Sequence, residues 1–218
     1  MKPVGILGGM GPEATILLMQ KVLAAVPAQD DADHIPLIVH QNPAVPSRIA
    51  HLIEGTGESP APALRRMAED LRAAGARALA MPCNTAHAYK DVLADVGLPF
   101  LDMIELTTDR LSGRIGMLAS PAVQRAGVFD GAFAARGLTP VWGDEGALLQ
   151  IIRDVKAGRR DAKPLARIAQ AMARACDHLL VACTELSLLT DALSGLPWTD
   201  SLDCLVDGIV DFARGGSA

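Results

Sequence analysis

Half of the 218 residues are hydrophobic, enough apolar material for a real core in one large domain or two small ones. The formal charge of −5 is spread without long runs and 3% of residues are aromatic, which argues against a nucleic-acid surface with its basic face and stacking rings. No apolar run approaches the ~20 residues that span a bilayer, and Met1-Lys2-Pro3 runs into a strand-like segment without a secretory leader, so the expectation is a cytoplasmic protein with no membrane contact.

In chain order, Val4 to Leu7 reads as a short apolar strand and Gly8-Gly9-Met10-Gly11-Pro12 as a glycine-rich turn. Glu13 to Val26 reads as a helix with Ile16, Leu17, Met19 and Leu23 roughly on one face. Pro12 suits its first position and Glu13 its positive end. Pro36 to His40 is a second strand, Ala44 to Gly57 a loop holding Pro46, Ser47 and Arg48, and Pro60 to Ala74 an amphipathic helix capped by Gly75. Ala78 to Met81 is a third strand that stops at Pro82, Thr85 to Ala94 a helix, and Phe100-Leu101 a fourth strand.

The pattern then restarts. Arg114 to Leu118 echoes the first strand, and Ala119-Ser120-Pro121 stands where the glycine turn stood. A helix over Ala122 to Arg136, a strand over Thr139 to Trp142 and helices over Leu148 to Ala157 and Pro164 to Ala175 follow. His178 to Ala182 is the next strand, and Leu196-Pro197-Trp198 leads into the last. Four offsets match: Gly5 with Gly116, Cys83 with Cys183, Leu98-Pro99 with Leu196-Pro197, and Asp102-Met103 with Asp200-Ser201. They predict a duplicated α/β unit: two similar α/β/α lobes with mostly parallel sheets, related by a pseudo-two-fold axis, with a cleft between them. The competing reading is chance likeness between two α/β halves, since such units look alike. The lobes are expected at residues 1–108 and 109–202, with the last helix, about 203–218, returning to the first.

None of the four cysteines forms a C-x-x-C pair, which argues against a zinc knuckle, and disulfides are not expected in a cytosolic chain. Cys176 and Cys204 read as buried, inert thiols. Cys83 and Cys183 differ, because each ends an apolar strand at the same point of the repeat. Strands facing each other across a cleft would present one sulfur from each side. Removing a proton from one face of a carbon and delivering one to the other needs such a pair, and it inverts a stereocentre. A thiol with an ordinary pKa near ~8.5 suits the task, and a helix start beside it favours the thiolate.

The neighbouring residues carry two readings each. Asn84-Thr85 and Thr184-Glu185 sit at helix starts, where N–H groups and hydroxyls receive carboxylates but also simply cap. Arg48, at a strand end, is either a bidentate carboxylate clamp or a solvated arginine. Lys156 could complement a helix C-terminus, and His87 could poise Cys83 or be incidental. Gly9-x-Gly11-x-x-Ala14 formally matches a dinucleotide fingerprint, but the next strand ends in Gln41-Asn42 rather than the acid that would hold a ribose.

The stretches Gly5 to Thr15 (GILGGMGPEAT), Asn42 to Arg48 (NPAVPSR), Pro82 to His87 (PCNTAH) and Ala182 to Leu186 (ACTEL) span nearly the whole chain, and in them the sequence resembles the aspartate/glutamate racemase family, in its aspartate racemase branch. The resemblance implies an isomerase, a racemase that needs no cofactor, with Cys83 and Cys183 as paired acid and base and a small-molecule amino-acid substrate. It matches Arg48 and Lys156 to residues used for the substrate's side-chain carboxylate. It matches Met10, Asn84, Thr85 and Thr184 to positions lining the α-carboxylate and cleft. Glutamate racemases open with an Asp-Ser pair where this chain has Gly8-Gly9-Met10, and carry histidine where it has Glu185; both differences point to the aspartate branch. Ser47 departs from the acidic residue common before the arginine. Family members often form homodimers. No lysine sits in a recognisable pyridoxal-phosphate context. Two further readings stand beside this one: another isomerase, decarboxylase or hydantoin racemase on the same scaffold, and a non-catalytic two-lobed binder of small carboxylates.

Overall fold

The computed structural model describes residues 1–216; the last two residues of the segment expected to return to the first lobe lie outside them. The first lobe runs β1 (Val4–Gly8), α1 (Pro12–Ala24), β2 (Leu37–Gln41), α2 (Ala61–Ala73), β3 (Ala78–Ala80), β4 (Phe100–Leu101) and α3 (Met103–Thr108). The second runs β5 (Arg114–Ala119), α4 (Pro121–Arg125), α5 (Asp130–Arg136), β6 (Thr139–Trp142), α6 (Glu145–Lys156), α7 (Lys163–Met172), β7 (His178–Ala182) and β8 (Trp198–Asp200), and α8 (Ser201–Ala213) closes the chain. Every strand pairing is parallel, in the orders β2-β1-β3-β4 and β6-β5-β7-β8.

The duplication extends to the register. Gly5 lies opposite Leu79, and Gly116 opposite Leu179. Leu79 N–H donates to Pro99 O at 2.9 Å, and Leu179 N–H to Pro197 O at 2.9 Å. Both glycines are required by packing: a Cβ on Gly5 would meet Ala76 Cβ at 2.9 Å, and one on Gly116 would meet Cys176 Sγ at 2.7 Å. Cys176 is thus a packing thiol in the place of an alanine, half-buried rather than buried as the sequence suggested.

Each sheet is covered on both faces, as strands from a parallel sheet require. In the first, Val4, Ile6, Ala78 and Ala80 pack with Leu18 and Val22 of α1 and with Leu205, Ile209 and Phe212 of α8. The opposite face packs Leu7 and Leu79 against Leu64, Met67 and Leu71 of α2. In the second, Leu118, Leu179 and Val181 pack with α6 and α7, while Ile115, Met117 and Leu180 pack with Phe129 and Phe133. Ile104 of α3 joins that last cluster, so α3 leans on the second lobe while α8 leans on the first.

Several elements differ from the sequence reading. The helix expected over Thr85 to Ala94 is a 3₁₀ segment, Asn84–Val96, and its counterpart is another, Leu186–Leu193, kinked at Leu189. The loop carrying Arg48 holds a π-helical turn, Ala50–Glu54, ended by Gly55 at φ 65°. The helix expected over Ala122 to Arg136 is two, broken where Gly127 takes φ 60°. On α1 the buried stripe is Ala14, Thr15, Leu18 and Val22, while Ile16, Met19 and Leu23 face solvent. Both stripes have helical spacing, and α1 is apolar enough on two sides that periodicity could not choose between them. No helix among the described residues is long and apolar enough to cross a membrane.

Candidate active site

In a sheet of order 2-1-3-4 the connections leave the two central strands in opposite directions, opening a crevice at their C-terminal ends. Both sheets open theirs onto one cavity. Met10 follows β1, Cys83 follows β3, Ser120 follows β5 and Cys183 follows β7, and all four line it with Ser47, Arg48, Thr85, Lys156 and Glu185. It is a narrow inner space of ≈ 30 Å³. An outer chamber of ≈ 750 Å³ lies beside it, and Ser47, Arg48, Lys156 and Glu185 line both, forming the neck between them.

The two cysteine turns are built alike. Ala86 N–H donates to Cys83 O at 3.1 Å and Leu186 N–H to Cys183 O at 2.8 Å, opening a 3₁₀ segment each time. They are also bolted to each other. Asn84 Nδ2 donates to Ser201 Oγ at 2.9 Å, and that hydroxyl donates to Val181 O on β7 at 3.0 Å. In the other direction Thr184 Oγ1 donates to Pro82 O at 3.2 Å. Asn84 and Thr184 therefore sit beside the cavity without lining it, their side chains used to join the lobes. Asn84 Oδ1 is buried without a donor, and as an acceptor it cannot receive a carboxylate.

His87 fixes the backbone behind Cys83. Its Nδ1 donates to Cys83 O at 2.9 Å and its Nε2 accepts from Met103 N–H at 3.3 Å, an arrangement that needs the neutral ring. Burial holds its pKa down in agreement, against the pull of Asp102.

The two thiols differ in surroundings. Cys183 donates to Glu185 Oε2 at 3.2 Å, and the other oxygen of that carboxylate meets Lys156 Nζ at 3.2 Å. Burial, reinforced by the Glu185 carboxylate, pushes the Cys183 thiol well above its ordinary range, while Lys156 pulls the other way. This reverses, at Cys183, the thiolate preference expected from a helix start. Glu185 is a site residue that the sequence reading treated as a helix-start position and a branch marker, without a role for its carboxylate, and Ser120, cap of α4, is another residue it did not assign to the site. The matching of Ser120 to the glycine turn was the signal available for it. Nothing in the sequence tied Glu185 to Lys156, which arrives from the end of α6.

Arg48 reaches the neck from the loop after β2. Its Nη1 donates to Pro46 O at 3.1 Å and Val45 O at 3.4 Å, while its buried Nε has no protein partner. The fork is anchored on one side and has a donor left for a carboxylate. His51 Nδ1 and Tyr89 Oη, 2.6 Å apart, hold the same loop against the 3₁₀ segment behind Cys83. Among the described residues no cluster of three His, Cys, Asp or Glu side chains could hold a metal ion. One acid/base thiol per lobe, a carboxylate on one of them and two cations at the neck can hold a small acid and move a proton at a carbon between the sulfurs.

The Asp/Glu/Hydantoin racemase family model matches residues 7–209. Among solved structures, an aspartate racemase of Picrophilus torridus is 27% identical, with a TM-score of 0.89 over 98% of this chain and 95% of that one. An aspartate racemase homologue of Pyrococcus horikoshii is 22% identical, with a TM-score of 0.77 over 98% and 100% of the two chains. Glutamate racemase of Francisella tularensis, in complex with D-glutamate, is 13% identical, with a TM-score of 0.67 over 98% and 81%. The last two show the shared fold.

Proposed function

Because the chain belongs to the Asp/Glu/hydantoin racemase family and is an isomerase of that kind, we propose that it interconverts L- and D-aspartate without a cofactor, using Cys83 and Cys183 as the two acid/base groups. The observation that carries this reading is that one thiol from each lobe lines a single small cavity with Arg48 and Lys156 at its neck. The likeness to the Picrophilus torridus aspartate racemase supports aspartate over glutamate.

In this mechanism the reacting carbon sits between the sulfurs and the side-chain carboxylate extends to the neck. Arg48 receives it through Nε, and Lys156 turns to it from Glu185. The α-carboxylate takes backbone N–H groups between each cysteine and the first bonded N–H of its 3₁₀ segment, Ala86 in one lobe and Leu186 in the other. Those donors also stabilise the enediolate that forms as the α-proton leaves, the costly part of the reaction. Cys183 enters as the thiol, since Glu185 and burial keep its proton on. Cys83 takes the α-proton from one face and Cys183 returns its own to the other. For the opposite enantiomer the roles exchange: Cys183, left as the thiolate by the first turnover, takes the α-proton and Cys83 returns its own.

The test is incubation with L- or D-aspartate in heavy water. The enantiomer should form and carry α-deuterium. If neither occurs with aspartate but does with glutamate or another acid from a substrate panel, the aspartate assignment is wrong. Full activity in Cys83→Ser and Cys183→Ser would contradict the two-thiol mechanism whatever the substrate.

A further inference from the structure

The repeat places a carboxylate behind each cysteine, and the two are not equipped alike. In the first lobe Asp102 caps α3, accepting from Ile104 N–H at 2.9 Å, with Lys90 Nζ 2.7 Å from its other oxygen and His87 Nε2 at 3.8 Å. In the second, Asp200 caps α8: its Oδ1 accepts from Leu202 N–H at 2.9 Å and from Ser187 Oγ at 2.9 Å. The hundred-residue offset that takes Cys83 to Cys183 takes His87 to Ser187 and Lys90 to Thr190, so the matching imidazole and ammonium are both missing. Thr190 turns its hydroxyl to Ser187 O at 3.4 Å instead.

Asp200 is 1% exposed, and its Oδ2 is buried with no protein partner. Around it, Asp203 and Cys204 lie on its own helix. Lys21, from α1, already pairs with Asp203 at 2.5 Å, and Arg110, from the turn after α3, pairs with Asp207 at 2.6 Å. Ser187 stands four residues beyond Cys183, so the Ser187–Asp200 bond is what ties the segment behind that thiol to the start of α8. Ser201, the next residue, takes the Asn84 bond that joins the lobes. Asp200 Oδ2 is thus a buried acceptor without a donor, and a proton on it removes an uncompensated charge from this seam.

We propose that Asp200 is held as the neutral acid and serves as a proton-dependent clasp, a positioning residue that seats the Cys183 segment on α8 and loosens that seat when its proton leaves. Burial pushes its carboxyl up to about 7, with Asp203 adding to the rise and the Leu202 and Ser187 bonds and Lys21 opposing it. The folded value lies above the unfolded one of about 3.8. The folded protein therefore holds the extra proton between the two, and this group's share of stability is greatest at the acid end and declines as pH rises towards 7.

Asp200→Asn keeps the cap and the shape but cannot ionise. Its melting temperature should exceed that of the wild type by about 5–10 °C at pH 8, with the gap narrowing steadily towards pH 5. Thr190→Lys, which restores the ammonium that Asp102 receives from Lys90, should flatten the same pH response with Asp200 still present. Melting curves that keep the wild-type slope in both variants, or an Asp200→Asn protein less stable at every pH, would overturn the proposal. If Asp200→Asn does not fold, Thr190→Lys alone decides. The positioning clause rests on the racemase reading: the variant-to-wild-type ratio of kcat for aspartate should rise several-fold through pH 7 while the KM ratio stays level. A flat kcat ratio with the melting response intact would overturn positioning. A wild type inactive on aspartate would sink the substrate assignment and leave the melting result standing.

Discussion

At the scale of single residues, Glu185 sets the surroundings of Cys183 apart from those of Cys83. It accepts from Cys183 and faces Lys156, so one carboxylate couples an acid/base group to a cation at the neck. Replacing it with glutamine removes a negative charge that holds the Cys183 proton on and frees Lys156, whose charge favours the thiolate. Both changes have the same sign. In a Cys83→Ser background, Glu185→Gln should move the pH midpoint for alkylation of Cys183 downward. An unchanged or higher midpoint would show that burial alone sets it. The cysteine pair was legible in the sequence because the duplication repeats it, strand end for strand end. Glu185 was not, because its meaning depends on a lysine delivered by another element. Asn84 and Thr184 were read as lining the cleft by position, but nothing in the sequence shows that their side chains turn away from it to Ser201 and Pro82.

At the scale of elements, the site depends on turns that hold close approaches. Gly9 has φ +95°, and a Cβ there would lie 2.4 Å from the backbone of Asn42. Its N–H donates to Thr15 Oγ1 at 2.9 Å, fixing the step from β1 into α1 that carries Met10. Gly9→Ala meets a disfavoured φ and a backbone clash together, so it should cost at least ~2 kcal/mol in urea unfolding. A loss under ~0.5 kcal/mol would mean the turn relaxes freely. The glycine run was read as a turn with one rival, a nucleotide loop; the packing of Gly9 on Asn42 shows its structural use. The strands were legible as short apolar runs, five of the eight closed within two residues by proline or glycine and the other three placed by the repeat. The 3₁₀ segments were not: Asn84–Val96 and Leu186–Leu193 have the composition of ordinary helices, and the tighter winding was not legible from their residues alone. The split between α4 and α5 was written in Gly127, but a single glycine inside a helical pattern is ambiguous until its φ is seen.

At the scale of the whole molecule, the lobes are held by unequal bonds. Thr184 to Pro82 and Asn84 to Ser201 are buried and lie against the cysteine turns. Glu13 to Arg160 also spans the lobes, at 2.9 Å, but both side chains are nearly half exposed. Buried bonds are costly to lose and exposed ion pairs are worth little. Thr184→Val should cost about 1–3 kcal/mol and slow turnover, whereas Glu13→Gln should change stability by less than ~1 kcal/mol, both measured by urea unfolding. The reverse ranking would mean that the rim sets the lobe spacing. That spacing matters because the central claim is two thiols serving two faces of one carbon. The most direct measurement is where solvent deuterium goes when L-aspartate is turned over briefly in heavy water. The account predicts α-deuterium in the D-aspartate formed and almost none in the L-aspartate recovered, because the proton removed by one sulfur is not the one returned by the other. Deuterium entering recovered substrate as fast as product would mean that one group serves both faces.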